Sequence, residues 1–347
     1  MITNPTAQRA LRGHLPQRPT PRTATTGKHH AHLATRLTPR DRWLARMLHE
    51  HKVFTTGQIV ALCYPTMRAA NHRLLALYKW RVLDRFQPFL GCGTAQMHYV
   101  LDIAGSALLA YEDGLDPRQL GYRHEDAIGI AHSLRLAHTV GVNAFFAALV
   151  ALSRHSYTCG RLTAWWSELR CNRLFGDMVR PDAYGRWSEH DHQIEFFFEF
   201  DFGTEDLGKL SSKLHGYEKL ARTTGIITPV LMWLPTNRRE TTARRALIDT
   251  LSNLDQPRLV PVATTAADIA CTPGDNNPTA ARWLPLSGPP SQRSGRLRLI
   301  ELAQLWPHTA TSQTPVAAPL PANPQTCGHL TPPVPLPPAS SIDRFRG

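Results

Sequence analysis

The stretch QIEFFFEFDFGTEDLGKLSSKLHGYEKL, from Gln193 to Leu220, decides the fold of this chain. It begins as an aromatic strand that carries acids and ends as a polar helix that carries lysines. Because alternate residues of a strand share a face, Glu195, Phe197, Glu199 and Asp201 point one way, and the phenylalanines between them point into a core. Neighbouring carboxylates on a hydrophobic sheet repel each other, and burial raises their pKa values unless a cation or hydrogen-bond donors compensate.

These acids and the lysines that follow them predict one of two kinds of site. Asp182 ends an RPD segment and reaches Glu199 if the two strands are neighbours. Carboxylate oxygens suit Mg²⁺, so Asp182, Glu199 and Asp201 form a candidate metal site. Lys209 and Lys213 share a helix face at positions i and i+4, and acids with a lysine around Mg²⁺ fit phosphodiester cleavage. The alternative is an ordinary salt-bridge network of Glu199 and Asp201 with Lys213.

The composition bounds the class of protein. A length of 347 residues is enough for two compact domains with tails, and 42% hydrophobic residues supply a core. The formal net charge of +12 indicates a polyanionic partner, with nucleic acid the first candidate and an anionic membrane the second. No apolar run reaches the roughly 20 residues of a membrane-spanning helix. The six scattered cysteines form no CxxC pair, so we expect reduced thiols, no zinc site and a cytoplasmic protein.

Residues 1–103 predict a basic arm followed by a winged helix-turn-helix. Residues 1–36 carry six arginines and lysines and no acid, which predicts a disordered arm, either a plain tail or a phosphate contact. Thr38 and Pro39 open a first helix, TTGQIVALCY predicts a second, and PTMRAANHRLLALYKWRVL predicts a third. VLDRFQPFL and AQMHYVLD alternate as strands around GCGT, which predicts a hairpin. Three helices and a hairpin over residues 37–103 are the order of a winged helix-turn-helix.

The third helix of this domain is a candidate for reading DNA. In a winged helix-turn-helix it would lie in the major groove, where arginine suits guanine, asparagine suits adenine, and lysine suits phosphates. The candidate DNA-binding residues, including two arginines at the start of the wing, are Arg68, Asn71, His72, Lys79, Arg81 and Arg85. The alternative for each is the ordinary solvated face of a helix, and winged helices also mediate protein contacts.

The rest of the chain predicts a mixed α/β domain over residues 130–306, after a connector at 104–129. A long helical pattern begins at Ile130, and the acidic strand and its helix follow. GIITPVLMWLP is a continuous apolar run that predicts a buried strand, and RETTARRALIDTLSNL predicts another helix. We therefore expect a mixed sheet flanked by helices. Residues 307–347 are rich in proline and predict a disordered tail.

Several blocks of the chain resemble the replication-relaxation family of actinobacterial mobile elements. They are, in the family's order, LTPRDRWLARMLHEHKVFTTGQIVALCY, NHRLLALYKW, HYVLDIAG, HTVGVNAFFAAL, RPDAYG and FFFEFDFGTEDLGKLSSKLHGYEKL. The resemblance covers about Leu37 to Leu234, and the last block is the most specific. It implies plasmid replication, relaxation or transfer functions, and a winged helix followed by a domain similar to the PD-(D/E)xK nuclease fold.

The resemblance also implies roles for single residues. Asp182 matches the first acid of the nuclease motif and Glu199 the second, whereas Asp201 stands where the motif has its lysine. A lysine of the next helix, Lys213 or Lys209, would then serve in its place. A nuclease-like scaffold can also bind DNA without cutting it, so binding and cleavage both remain open for this domain.

Three functions remain open from the sequence. The leading hypothesis is a cytoplasmic DNA-binding protein that acts on plasmid or mobile-element DNA in replication, relaxation or conjugative mobilisation. The first alternative is a Mg²⁺-dependent endonuclease with catalytic Asp182, Glu199 and Lys213, and with Glu168 of WWSELR as an accessory acid. The second alternative is a winged-helix transcriptional regulator. DNA rather than a membrane is the expected partner, and a second copy of the chain or replication and relaxosome proteins are open further partners.

Overall fold

The computed structural model describes residues 11–14, 20–90, 95–155, 159–269, 277–286, 295–306, 309 and 330–339. These residues fall into two compact units, divided between Asn143 and Ala144. The amino-terminal unit contains the described residues up to Asn143 together with 330–339, and the carboxyl-terminal unit contains those from Ala144 to Thr309. Both helices and sheets are present, so the predicted mixed class is confirmed.

The amino-terminal unit combines helices with two small sheets. Its elements are β1 (Leu11–His14), α1 (Gly27–Arg36), α2 (Pro39–His51), β2 (Phe54–Thr55), α3 (Thr56–Cys63), α4 (Met67–Lys79), β3 (Leu83–Phe86), β4 (Pro88–Leu90), β5 (His98–Leu101), α5 (Ile103–Glu112), α6 (His124–Gly129) and the first part of α7 (Leu136–Ser153). One antiparallel sheet has the order β2-β5-β3, and β1 pairs with β4. The predicted GCGT turn lies outside the described residues.

Capping side chains fix where the three predicted helices of this unit begin. Thr38 and Asp41 form a capping box at the start of α2, and Thr55 and Gln58 form another at the start of α3. Thr66 caps α4. Each threonine hydroxyl accepts a backbone N–H of the first turn that has no partner inside the helix. Together with the antiparallel pairing of β3 and β5, this gives the predicted order of three helices and two paired strands.

Part of the predicted basic arm is helical. The prediction of disorder is wrong for residues 27–36, which form α1. Thr26 caps the first turn of α1, and Leu33 is fully buried, so the segment has an apolar anchor that its charge pattern did not indicate. Residues 1–10 and 15–19 of the arm lie outside the described residues.

The predicted connector and tail also contain ordered parts. Helices α5 and α6 lie almost entirely within the predicted connector, residues 104–129. In the proline-rich tail the structure describes residues 330–339, where Leu330 is buried. The Val334 carbonyl accepts a hydrogen bond from the Trp43 indole N–H at 2.8 Å, which attaches this stretch to α2. Most of the remaining tail lies outside the described residues.

The carboxyl-terminal unit contains a six-stranded mixed sheet flanked by helices, as predicted. Its elements after α7 are β6 (Gly160–Ser167), α8 (Glu168–Phe175), β7 (Ala183–Glu189), β8 (His192–Phe200), α9 (Leu207–Thr224), β9 (Val230–Leu234), α10 (Asn237–Ser252), β10 (Val262–Ala266), β11 (Leu284–Pro285) and α11 (Glu301–Leu305). The strand order is β11-β10-β9-β8-β7-β6. Strands β6, β7 and β8 are antiparallel, β8, β9 and β10 are parallel, and β11 is antiparallel to β10. Helices α9 and α10 are the crossovers between the parallel strands.

Strand β8 separates two environments within this unit. On one face, Phe196 and Phe198 are fully buried among aromatic rings, and Phe198 stacks on Phe145 of α7 with the ring centroids 4.0 Å apart. On the other face, Phe197 belongs to a core built largely from α9, α10 and the neighbouring strands. Glu199 lies on that second side of the strand. The alternation that the sequence predicts for this strand is therefore confirmed.

One described helix has the length and composition of a membrane span. Helix α7 has 18 residues with a mean hydropathy of 1.7, and 61% of it is buried inside the protein. The core helix of a globular protein meets the same criteria, and Phe146 of α7 stacks on Trp165 with the ring centroids 4.9 Å apart. Length and composition are therefore weak support for a membrane span in the part of the chain that the structure describes.

Phe198→Ala is expected to lower the free energy of unfolding by about 3–5 kcal/mol, because it removes a fully buried ring and leaves a cavity among stacked aromatics. Urea denaturation followed by circular dichroism measures this change. His192→Ala, at the exposed start of the same strand, is the matched control and should change the free energy by less than about 0.5 kcal/mol. Similar losses for the two variants would contradict the packing of β8.

Candidate functional site

The candidate site lies near the end of β8, where two acids meet on neighbouring strands. Glu199 is the penultimate residue of β8 and is 1% exposed. In the register of β7 and β8, Ala183 pairs with Phe198, so Asp182 lies beside Glu199. The Phe200 backbone N–H donates to Asp182 Oδ2 at 2.9 Å and holds the aspartate there. The structure thus places Asp182 and Glu199 side by side, as the sequence led us to expect.

Helix α9 brings two donors to the Glu199 carboxylate. Lys213 Nζ lies 2.7 Å from Glu199 Oε2 and 3.9 Å from a Glu205 oxygen. The Tyr217 hydroxyl donates to Glu199 Oε1 at 2.5 Å. Lys213 and Tyr217 are four residues apart, so they point from one helix face toward the same strand. Lys209, the other lysine considered from the sequence, is exposed. Sequence reasoning missed Tyr217, although its spacing from Lys213 was an available signal.

Burial sets the protonation of this site. Burial raises the pKa of Glu199 to about 7, and the nearby Asp182 carboxylate adds to that rise. Burial disfavours the Lys213 ammonium, but the attraction of Glu199 and Asp182 outweighs it and raises the pKa of Lys213. Burial also raises the pKa of Tyr217 well above its ordinary value, so its hydroxyl stays a neutral donor. Near neutral pH the site therefore holds a charged lysine beside a carboxyl group that gains and loses a proton.

Asp201 is bound by a different partner. Its Oδ2 accepts a hydrogen bond from Arg239 Nε at 2.7 Å, and its Oδ1 accepts one from the Gly203 backbone N–H at 2.7 Å. Arg239 lies on α10 and also donates to the Glu205 carbonyl. The charge of Asp201 is therefore balanced by Arg239 rather than by Lys213. Sequence reasoning missed Arg239, because 38 residues separate it from Asp201 and the parallel pairing of β8 with β9 brings α10 to this point.

The predicted metal ligands do not converge as a set of three. Asp182, Glu199 and Asp201 are not among the groups of described residues whose ligand atoms all lie within 4.8 Å of one another. The contacts of Asp201 do not fit a ligand role, because Arg239 holds one of its oxygens. Both Glu199 oxygens accept hydrogen bonds, so a cation there would have to share the carboxylate with the Lys213 ammonium and the Tyr217 hydroxyl. Asp182 and Glu199 remain a carboxylate pair whose oxygens suit Mg²⁺.

The described residues do contain one such group of ligand atoms, Asp84, Asp102 and His124 of the amino-terminal unit. Asp102 is fully buried and pairs with Arg22 and with Arg81, whose Nε lies 3.4 Å from Asp102 Oδ2. Arg22 also lies 3.4 Å from Asp84. Two guanidinium groups already balance the two carboxylates, so this cluster is an ion-pair network rather than a cation site.

Glu168, the expected accessory acid, is the first residue of α8. It follows directly after β6, and Ser167 pairs with Ala183 in the register of β6 and β7. Glu168 therefore lies at the same end of the sheet as Asp182. The role of Glu168 as an accessory acid stays a prediction.

A second candidate surface is the outward side of α4. Arg68, Asn71, His72 and Lys79 are exposed, and Leu75 among them is 37% exposed. Their helical spacing places them on one side, which we call the α4 face. The opposite side of the helix is buried in the amino-terminal unit. Four of the six predicted DNA-binding residues thus share one accessible surface.

The other two predicted DNA-binding residues, Arg81 and Arg85, are engaged within the protein. Arg81 has a left-handed backbone with φ of 59°, and its side chain pairs with Asp102. The Arg85 guanidinium lies over the Tyr78 ring, 4.3 Å from its centroid. Both arginines add positive charge beside α4, but their guanidinium groups already have partners inside the unit.

A comparison with known protein families finds a match for this chain. The model of a family described as replication-relaxation matches residues 46–231. The matched range begins within α2 and ends within β9, so it includes α4 together with Asp182, Glu199 and Lys213. No curated protein matches the chain, and no solved structure matches it.

Glu199→Gln is expected to flatten the pH dependence of stability. Burial raises the folded-state pKa of Glu199 from 4.5 to about 7, so between these values the folded protein keeps a proton that the unfolded chain has released. The stabilisation from this group is complete below pH 4.5 and is lost as the pH rises through 7. The free energy of unfolding falls by at most about 1.4 kcal/mol per pH unit through the loss of this proton.

Urea denaturation of the wild-type protein and of Glu199→Gln from below pH 4.5 to above pH 7 measures this effect. The stability of the wild type relative to the variant should fall as the pH rises. Glu125→Gln, an exposed carboxylate of the other unit, controls for the loss of a surface charge. A difference between wild type and Glu199→Gln that does not change with pH would contradict a buried carboxyl group titrating near neutrality.

Proposed function

This chain belongs to the replication-relaxation family, and we propose that it is a DNA-binding protein acting on plasmid or other mobile-element DNA during replication or relaxation. The observation that carries the DNA-binding proposal is the α4 face, on which Arg68, Asn71, His72 and Lys79 are exposed together. Arginine and asparagine make paired hydrogen bonds to guanine and adenine edges. Lysine contacts phosphates, which position the protein on the duplex.

The elements around α4 support a winged helix-turn-helix. Helices α2, α3 and α4 are followed by the antiparallel strands β3 and β5, and β2 adds a third strand to their sheet. In helix-turn-helix domains the last helix of the motif lies in the major groove and presents side chains to base edges. We therefore assign α4 as the recognition helix. The exposed Leu75 adds an apolar contact of the kind that thymine methyl groups accept.

The charge of the protein supports the same proposal. A formal net charge of +12 attracts a polyanion over a long range and raises the rate of encounter with DNA. Charge supplies affinity without sequence preference, whereas the α4 face supplies the groups that distinguish one site from another. The two features together fit a protein that finds DNA by charge and then selects a site.

Duplex DNA should bind tightly at low salt and progressively more weakly as salt rises. Each phosphate contact releases condensed counterions, so the logarithm of the affinity falls by about 0.9 per logarithmic unit of salt for each contact. Fluorescence anisotropy with a labelled random duplex, over roughly 50 to 300 mM NaCl, measures this slope. The absence of binding at low salt, or an affinity independent of salt, would refute the proposal.

Two variants locate the interface in the same assay. On a duplex selected from a random pool, Arg68→Ala and Asn71→Ala should each lose about 1–3 kcal/mol of discrimination, with a smaller loss on random DNA. Arg118→Ala removes an exposed arginine of the same unit outside α4 and is the matched control. Equal losses of affinity on the selected and the random duplex would assign Arg68 and Asn71 to phosphate contacts. No loss of affinity on either duplex would exclude α4 from the major groove.

The convergence of Asp182, Glu199 and Lys213 favours a second candidate function, a Mg²⁺-dependent DNA endonuclease. Asp182 and Glu199 would hold the ion, which when bound polarises a phosphate and activates water. Lys213 carries an ammonium group at the carboxylates, 2.7 Å from Glu199, where it offsets negative charge that develops on a phosphate. Asp201 is left out of this assignment because Arg239 binds it.

A melting-temperature titration with Mn²⁺ and a plasmid nicking assay test the second candidate. If Asp182 and Glu199 hold a cation, the melting temperature rises with the ion concentration and Glu199→Gln abolishes the rise. Lys213→Ala should then keep the rise and lose nicking. If the site is only a buried ion pair, the ion has no effect, and Lys213→Ala costs about 3 kcal/mol by leaving a buried carboxylate unpaired. A flat melting temperature without nicking would refute the endonuclease and leave the DNA-binding proposal standing.

A further inference from the structure

The segment ahead of α2, residues 22–36, forms hydrogen bonds with the carboxyl end of α4. The last turn of an α-helix leaves carbonyl groups that have no partner inside the helix. At the end of α4, three successive carbonyls accept hydrogen bonds from this segment, and the first of them also accepts one from the Arg81 backbone N–H. Arg22 Nε lies 3.2 Å from the backbone carbonyl oxygen of Tyr78, and the Thr23 backbone N–H donates to that of Lys79 at 2.9 Å. His29 Nε2 lies 2.8 Å from the backbone carbonyl oxygen of Trp80.

Cation–π contacts join the same two parts of the chain. Each of the two aromatic residues at the end of α4 has two guanidinium groups near its ring, one from the segment and one from the rest of the unit. The groups are Arg22 and Arg85 at 4.4 and 4.3 Å from the Tyr78 centroid, and Arg36 and Arg73 at 5.0 and 5.1 Å from the Trp80 centroid. The segment therefore also contacts the side chains that border the α4 face.

Acids of the amino-terminal unit anchor Arg22 in this position. Its guanidinium pairs with the fully buried Asp102 and lies 3.4 Å from Asp84. It also donates to the Leu83 carbonyl at 3.3 Å. A guanidinium held by two carboxylates and two carbonyls is not available to a DNA phosphate. The phosphate-contacting role expected of a basic arm therefore does not suit Arg22.

We propose that residues 22–36 are a positioning element of the DNA interface, in which Arg22, Thr23 and His29 cap α4 and fix the direction of the α4 face. This inference rests on the proposed function of α4 in reading DNA. Lys79 connects the two roles, because its carbonyl is held by the segment while its side chain is exposed on the α4 face. Arg22 acts through α4 and does not touch the DNA.

Arg22→Gln separates positioning from phosphate contact. We compare the affinity of the full-length protein for a duplex selected from a random pool with its affinity for a random duplex, at several salt concentrations. Arg22→Gln should lower the ratio of the two affinities roughly ten-fold, because a loosened helix end misplaces the side chains that read bases. The salt slope on the random duplex should stay unchanged, since no phosphate contact is lost.

Two further variants make this test specific. Arg22→Lys keeps the charge but should not restore the ratio, because lysine lacks the planar fork that spans carboxylates and carbonyls. Lys28→Gln removes the same charge from an exposed position of α1 and should leave the ratio unchanged. If Arg22→Gln does not fold, as judged by circular dichroism, His29→Leu carries the test, because leucine has no donor for the Trp80 carbonyl. It removes one cap and leaves the Arg22 ion pairs, and a lowered ratio supports the proposal.

Three results would overturn the proposal. A ratio unchanged in Arg22→Gln, or in His29→Leu when the first variant does not fold, leaves the segment without a role in site selection. An equal loss on both duplexes, with a salt slope reduced by about 1 and rescue by Arg22→Lys, makes Arg22 a phosphate contact. Failure of the wild-type protein to bind any DNA refutes the function of α4 itself, and so is distinct from a failure of positioning alone.

Discussion

A buried carboxylate needs compensation, and the carboxyl-terminal unit is arranged around that need at Glu199. Its two oxygens accept hydrogen bonds from Lys213 and Tyr217, and both donors come from the helix that crosses over between parallel strands. To bring both donors to β8, α9 must turn the side that carries Lys213 and Tyr217 toward that strand. This orientation also sets the position of the core residues on the helix. The same arrangement brings Asp182 beside Glu199 and raises the pKa of Glu199 to about 7. Stability and candidate chemistry therefore share one set of side chains.

The amino-terminal unit follows the same rule with different partners. Asp102 is fully buried and is balanced by Arg22 and Arg81. Arg22 comes from a segment whose composition predicted disorder, so the buried charge ties that segment to the end of α4. The α4 face then consists of side chains exposed for contact, whereas the arginines beside it are engaged within the protein. A positive charge count alone does not distinguish these two groups.

The sequence predicted the helices, the strands and their buried faces more completely than it predicted the contacts between these elements. The alternation of phenylalanine and acid around Glu199 predicted the two environments of β8, because side chains of a strand alternate in direction. Thr38 and Pro39 predicted where the first helix of residues 37–103 begins. Asp201 was grouped with Glu199 by the same alternation, yet it pairs with Arg239 of a later helix. Residues 27–36 were assigned to a disordered arm, yet Leu33 anchors them as a helix.

The sequence by itself determined local conformation, the buried faces and the residue types available for a site, because these depend on neighbours within a few positions. Strand spacing placed Glu199 and Asp201 on one face, and helix spacing placed Lys209 and Lys213 on another. The roles of Asp182, Glu199 and one of the two lysines came from the resemblance to a nuclease motif. Only the tertiary structure decided which cation meets which acid. Lys213 reaches Glu199 and Arg239 reaches Asp201, because the parallel order of strands places each crossover helix over a different part of the sheet. Ion pairs between distant segments depend on that order, and no local pattern encodes it.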